Sequence, residues 1–185
     1  MHHTYRHESE RRGYQNPEQI LTVAGVKAGD VFIDLGCGFG FFAIPAARIT
    51  GSEGLVCGVD IDGEALEELR TQSERAGIDN IRVKLATAED VFLCKRCADI
   101  AFIGIALHDF KDPLKVLQNA KLALKMDGRL VNLDWKKEPM PFGPPVNIRF
   151  NESEAASLIE RAGFNVVSIQ DSGPYHYMIL ANLLH

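Results

Sequence analysis

The stretch "VFIDLGCGFGFFAIPAA", residues 31–47, constrains the fold more than any other part of the chain. A mostly apolar run leads to Asp34, glycines follow at every second position (Gly36, Gly38, Gly40), and an apolar helical run comes next. The shape is strand, glycine turn, helix. In an open α/β sheet, ligands bind beyond the C-terminal ends of the strands. A turn at such an end lets backbone without Cβ atoms come close to a ligand. A glycine-rich turn alone is a weak signal, so the acid before it carries much of the information.

The rest of the chain alternates in the same sense. Strands are expected at 54–60, 80–86, 99–107 and 129–135, with helices at 18–26, 41–49, 63–77 and 112–128 between and before them. Asn16-Pro17 opens the first of these helices as cap and first-turn proline. Residues 136–150, "KKEPMPFGPPVNIRF", are too rich in Pro and Gly for a regular element. A helix over 151–163, with Ser153 as cap and Gly163 as stop, precedes two closing strands joined by Asp171-Ser172-Gly173-Pro174. Alternating strands and helices imply a parallel sheet with right-handed crossovers. The closing pair suggests a hairpin at one edge, with the final strand antiparallel. The whole of 1–185 reads as one domain, with 1–16 as an N-terminal arm or lid and 136–150 as an irregular loop on the substrate side.

Length and composition fit this reading. The chain has 185 residues, enough for one sizeable core. A net charge of −5 argues against a general nucleic-acid binder, which needs a concentrated excess of Lys and Arg. No apolar run approaches the roughly 20 residues of a membrane span, and the polar N-terminus has no signal-peptide core. The expected location is the cytoplasm, where Cys37, Cys57, Cys94 and Cys97 would be thiols.

Asp34 and Asp60 define the ligand. A dinucleotide lays its pyrophosphate on a helix N-terminus, and a carboxylate at Asp34 would repel it. The spacing D-x-G-x-G-x-G also differs from G-x-G-x-x-G. Asp60 ends the next strand in "VCGVDID", where an acid accepts hydrogen bonds from ribose hydroxyls. The two acids call for a ligand with a ribose at one end and a positive group at the other. S-adenosylmethionine has a ribose, an ammonium and a sulfonium, and no phosphate.

On these residues the chain resembles the class I S-adenosylmethionine-dependent methyltransferases, most closely the ubiquinone/menaquinone-biosynthesis type. "DLGCGFG" is similar to the family's first motif and "GVDID" to its second. "ATAED" (86–90) stands at its adenine-side loop, "DIAFIGIALHDF" (99–110) at its fourth-strand segment, and "LALKMDGRLVNLDW" at its approach to strand five. The likeness covers residues 17–135, and "DWKKE…GPP" further resembles a small prokaryotic subgroup. It implies a Rossmann-like fold of seven mostly parallel strands with an antiparallel edge hairpin and helices on both faces. It also implies that Gly36, Cys37 and Gly38, with Gly40 closing the turn, line the methionine part, that Asp34 helps to hold its ammonium, and that Gly104 sits near it. Asp60 would take the ribose and Ile61 the adenine face. Ala88 and Glu89 would lie at the adenine edge beside Thr87, which stands where many members carry Asp.

Methyl transfer demands little of side chains, because the cofactor supplies the reactivity and the protein supplies position and electrostatics. His108, just after the fourth strand, is the candidate base, with an ordinary pKa near about 6.5 and Asp109 as its orienting neighbour. The alternative is that His108 only caps or packs the following helix. His176, between two tyrosines, reads as an alternating strand residue. Tyr5, Tyr14, Phe142 and Arg149 lie on the irregular segments that could cover the site, and Trp135 ends strand five. Cys94 and Cys97 form a lone C-x-x-C. A structural zinc needs four ligands, only His2, His3 and His7 of the arm could complete the set, and no metal is expected.

The expected function is methyl transfer to a small-molecule acceptor, with oligomeric state open. The alternatives are a nucleic-acid or protein methyltransferase, a nicotinamide-dependent oxidoreductase, and a non-catalytic S-adenosylmethionine-binding protein. "GIALHDF" lacks the Pro-Pro-Tyr type of motif that amino-methylating nucleic-acid enzymes show after strand four.

Overall fold

The computed structural model describes residues 8–184. Tyr5, His2, His3 and His7 lie outside the described residues. Seven strands form one sheet: β1 (Val31–Leu35), β2 (Leu55–Asp60), β3 (Ile81–Leu85), β4 (Ala98–Gly104), β5 (Leu124–Trp135), β6 (Phe164–Ser172) and β7 (His176–Leu183). Their order is β3-β2-β1-β4-β5-β7-β6. β1 to β5 pair in parallel, and β7 runs antiparallel to both β5 and β6. The closing hairpin is therefore at the edge, with the last strand inserted between β5 and β6. No described helix is long and apolar enough to cross a membrane.

Helices cover both faces, as parallel strands buried on both sides require. α2 (Pro17–Val23), α3 (Ala43–Thr50) and α4 (Gly63–Arg75) bury Leu21, Ala46 and Leu69 on one face, against Phe32, Val56, Phe102 and Leu133. α5 (Pro113–Ala123) and α6 (Glu152–Arg161) bury Leu117 and Ile159 on the other, against Ile33, Ile103, Leu130 and Ile179. α1 (Glu8–Arg12) precedes them. Between β3 and β4 no helix forms, and residues 86–97 cross the second face as irregular chain.

The start signal at Asn16 operates as read, and two further caps come from the structure. Asn16 accepts from the Gln19 N–H with Pro17 in the first turn, and Asp62 and Asp112 cap α4 and α5. Three expectations are corrected. The cap of α6 is Asn151, not Ser153. Asn151 Oδ1 accepts from Glu154 N, and the Glu154 carboxylate accepts from Asn151 N, a reciprocal capping box. The helix expected over 112–128 stops at Ala123, because Leu124 pairs with Ala98 of β4 and the chain continues as strand. Its apolar spacing continues to the buried Leu124, so periodicity could not show where the sheet takes over. The strand expected to 107 ends at Gly104, and Leu107–Asp109 form a 3₁₀ turn.

The loop 136–150 has no regular element beyond a 3₁₀ turn at Val146–Ile148, and one buried side chain ties it together. Arg149 is buried. Its Nε and Nη2 donate to the Pro144 carbonyl, and its Nη1 donates to the carbonyls of Lys136 and Glu138 at 3.0 and 2.9 Å. Lysine has no fork to reach three carbonyls at once. Arg149→Lys is therefore expected to cost about 2–3 kcal/mol, given hydrogen bonds to charged groups of about 1.5–3 kcal/mol each. Thermal melting and limited proteolysis check this: the melting point should fall and cleavage should start within 136–150.

Candidate functional site

The turn after β1 is shaped by the end of β2. Gly36 N and Cys37 N both donate to the Val59 carbonyl, at 2.8 and 3.1 Å, and Gly38 N donates to Asp60 Oδ2 at 2.7 Å. The other Asp60 oxygen accepts from Asp62 N at 2.9 Å. Two of the three glycines serve the turn in different ways. Gly40 has φ +88°, and a Cβ there would lie 2.3 Å from Leu69 Cδ1. Gly38 has φ +49° and a Cβ there would meet nothing within 4 Å, so its backbone borders open space. The N–H groups of 36, 37 and 38 are consumed inside the protein, so they do not form the donor nest that a pyrophosphate uses.

Asp34 lies at the end of β1 beside this opening. It is 1% exposed, and neither carboxylate oxygen has a hydrogen-bond partner among the described residues. Burial, with the Asp60 charge adding, pushes its pKa up to about 7, while the Arg11 guanidinium pulls the other way. A buried carboxylate without a partner is costly, and a cation placed in the opening would relieve that cost. Arg11, on α1, lies 3.8 Å over the Phe41 ring and donates from Nε to Gln15. The sequence offered no signal for Arg11 beyond its place in the arm.

The remaining cofactor-side residues are arranged as follows. Ile61 is 72% exposed next to Asp60, an apolar surface facing outward. Thr87 Oγ1 donates to Asp90 Oδ2 at 3.0 Å. The Glu89 carboxylate accepts from Lys111 N and Asp112 N, and the Ala88 carbonyl accepts from Asn119. The side chains of Thr87 and Glu89 thus brace neighbouring loops. Cys37 packs under Gly58, where burial pushes its thiol pKa up. A Cβ at Gly104 would strike the rings of Phe102 and Phe42 at 2.5 and 2.7 Å, so its place is set by packing.

Beyond β4 the chain turns sharply. Ile105 has φ +63°, a strained conformation for a β-branched residue, and its N–H donates to the Leu133 carbonyl at 2.7 Å. The turn aims His108 at the end of β5. His108 Nδ1 is hydrogen-bonded to Asp134 Oδ1 at 2.7 Å, with side chains 2% and 1% exposed. Burial works against the imidazolium, but the hydrogen bond and charge of Asp134, with Asp109 adding, outweigh it and raise the His108 pKa. The expected orienting group, Asp109, stands farther away, 3.5 Å from Nε2. Asp134 was missed. Its signal was polar residues at 132 and 134 in an otherwise apolar strand, "RLVNLDW".

An aromatic cluster covers the other face of this edge. Tyr14 of the arm, Trp135, Phe142 of the loop and Tyr175 lie with ring centroids 4.8–6.5 Å apart, and Tyr14 stacks on His176 at 6.0 Å. His176 is wholly buried. Burial, with Arg11, Arg149 and Lys136 adding, lowers its pKa to about 3, so the ring is neutral. Tyr14 and Phe142 therefore come together as segments covering the edge, while Arg149 acts within its own loop.

The family described as "Methyltransferase domain" matches residues 26–171. The chain is 29% identical over 166 residues to the ubiquinone/menaquinone biosynthesis C-methyltransferase UbiE of Haemophilus ducreyi, covering 89% of this chain and 62% of that protein. It is 27% identical over 129 residues to the aklanonic acid methyltransferase DauC of a Streptomyces species, covering 69% and 59%. The chain thus spans about three fifths of the length of these relatives. A crystal structure of a SAM-dependent methyltransferase from Aquifex aeolicus superposes with a TM-score of 0.88 at 28% identity, over 93% of this chain and 92% of that one.

The state of Asp34 has a measurable consequence. Its folded pKa of about 7 lies above its ordinary 3.8, so folding favours the protonated form. The resulting cost is absent below about pH 4, grows as pH rises, and is complete above about pH 7. Asp34→Asn is expected to melt higher than wild type at neutral to alkaline pH, by an amount on the order of a few kcal/mol. Melting curves across pH check this: the advantage should vanish near pH 4.

Proposed function

The chain belongs to the methyltransferase domain family, and on that premise we propose that it transfers a methyl group from S-adenosylmethionine to a small-molecule acceptor. One observation carries the reading. A buried carboxylate without a partner, Asp34, stands beside a glycine turn whose N–H groups are already engaged. That arrangement suits a cationic amino-acid end and disfavours a pyrophosphate. The two curated relatives named above carry names of small-molecule chemistry, one from quinone biosynthesis and one acting on aklanonic acid.

When bound, S-adenosylmethionine supplies a methyl group on a positively charged sulfur. The chain's own residues bind and orient. Asp34 pairs with the ammonium, and Gly38 lets the methionine part lie against backbone. Asp60 keeps lone pairs for the ribose hydroxyls after serving Gly38 and Asp62. Ile61 covers an adenine face, while Ala88, beside Thr87 and Glu89, borders the adenine edge. Gly104, packed on Phe42, sets the wall near the methionine end. Alignment of acceptor and methyl is worth up to about 7–11 kcal/mol in favourable cases.

His108 is the proton acceptor where the acceptor atom must lose a proton. Asp134 fixes Nδ1 as the donor, which leaves Nε2 to receive. Because the side chain is 2% exposed, the acceptor reaches it only when the chain packed around His108 and Asp134 opens.

Calorimetry with S-adenosylhomocysteine, S-adenosylmethionine and NADH tests the cofactor. The sulfur ligands should bind in the micromolar range, and Asp60→Ala should weaken both by about 10–100-fold, the loss of charged hydrogen bonds. Binding of NADH without either sulfur ligand would contradict the reading.

A further inference from the structure

Cys94 and Cys97 do not stand as two thiols: they are joined as a disulfide, with Cα atoms 6.0 Å apart. The expectation of unpaired thiols holds for Cys37 and Cys57 alone. The pair lies on the irregular crossover 86–97, which begins at the adenine-side loop and ends at β4. Parallel strands are usually joined through a helix that satisfies its own backbone. This crossover has none, and it is tied by scattered anchors. Asn119 Nδ2 donates to the carbonyls of Ala88 and Glu89, Lys84 Nζ donates to the Phe92 carbonyl, and the N–H groups of Arg96 and Cys97 donate to Leu122 and Ala123.

Resting on the cofactor reading above, we propose that Cys94 and Cys97 form a reversible thiol–disulfide site that controls the adenine side of the cofactor pocket. Three observations support it. The bridge closes a ring of only four residues, and so short a loop gives little of the unfolded-state restriction by which structural disulfides stabilise. Both cysteines are only half-buried, within reach of a thiol or disulfide reagent. Arg96 is held at φ +54°, a left-handed conformation rare for a residue other than glycine. Opening the ring removes one of the ties that hold it there and leaves the Arg96 N–H bond to the Leu122 carbonyl.

The route to the pocket is short. Val91, buried in the core, lies between the disulfide and the Thr87–Asp90 turn. A small cavity beside Cys94, lined by Ile33, Leu35, Val91, Leu93 and Ala120, gives the relaxed segment room to move. The oxidant is a low-molecular-weight disulfide or an oxidised dithiol protein. One cysteine thiolate attacks it, forming a mixed disulfide and releasing one thiol. The second cysteine attacks the mixed disulfide, closing the Cys94–Cys97 bond and releasing the other thiol. Two electrons and two protons leave the protein, and the oxidant is reduced to two thiols.

Denaturing alkylation with intact-mass measurement across a reduced/oxidised glutathione series reads the bond. Wild type should pass from four alkylated cysteines to two, and Cys97→Ser should hold three throughout the intramolecular transition. Calorimetry with S-adenosylhomocysteine on oxidised and reduced wild type reads the coupling. Reduction should weaken binding at least about fivefold, with Cys94→Ser/Cys97→Ser fixed near the reduced value whatever the poise. Equal affinity in both redox forms overturns the inference and leaves the cofactor reading standing. So does a wild type that keeps four alkylatable thiols at every poise. Absence of binding by either form contradicts the cofactor reading, and this inference falls with it.

Discussion

Three consecutive N–H groups of the glycine turn end on β2: two on the Val59 carbonyl and one on the Asp60 carboxylate. The cradle therefore has its shape before any ligand arrives, and that shape decides the ligand. Donors that would serve an anion are spent, and the nearest ionisable group without a partner is the buried carboxylate of Asp34. The site is poor in what a phosphate needs and rich in what a cation needs. On the proposed reading Asp60 would serve twice, because the oxygens that pin Gly38 and Asp62 keep lone pairs for a ribose. The cost of burying Asp34 alone is the cost of selectivity, of the kind proteins accept at functional sites.

The other end of the pocket is built from the ends of β4, β5 and β7. Strain at Ile105 turns the chain so that His108 meets Asp134. On the opposite face, Tyr14, Trp135, Phe142 and Tyr175 surround a neutral His176. The arm and the loop thus meet over the edge where an acceptor would sit. Arg149 holds the loop in that position through three carbonyls.

What the sequence revealed was local. The strand, the glycine spacing and the acids at 34 and 60 lie within one strand-turn-helix unit and its neighbour, and their chemistry is legible from residue types alone. The cap at Asn16 is also a short-range feature. The misses are long-range or competitive. Nothing local says that His108 pairs with a residue 26 positions away, or that Arg11 reaches the turn. At Leu124 helical spacing and strand pairing compete, and β4 wins. At 151–154 two polar residues compete for one cap, and the reciprocal bond with Glu154 decides for Asn151. Compartment arguments speak to average chains, not to a four-residue ring on a helix-free crossover, so they do not reveal the Cys94–Cys97 bond.

The central claim is that a cationic ligand group takes Asp34 as its partner. A carboxylate that holds its proton up to about pH 7 must give it up to form that pair. Calorimetry of S-adenosylhomocysteine binding in buffers of different ionisation enthalpy counts the proton. About one proton should be released per ligand at about pH 6, and about none at about pH 8, and Asp34→Asn should release none at either. Tight binding by wild type with no proton released at the lower pH would show that Asp34 is not the ligand's partner, and would contradict the account.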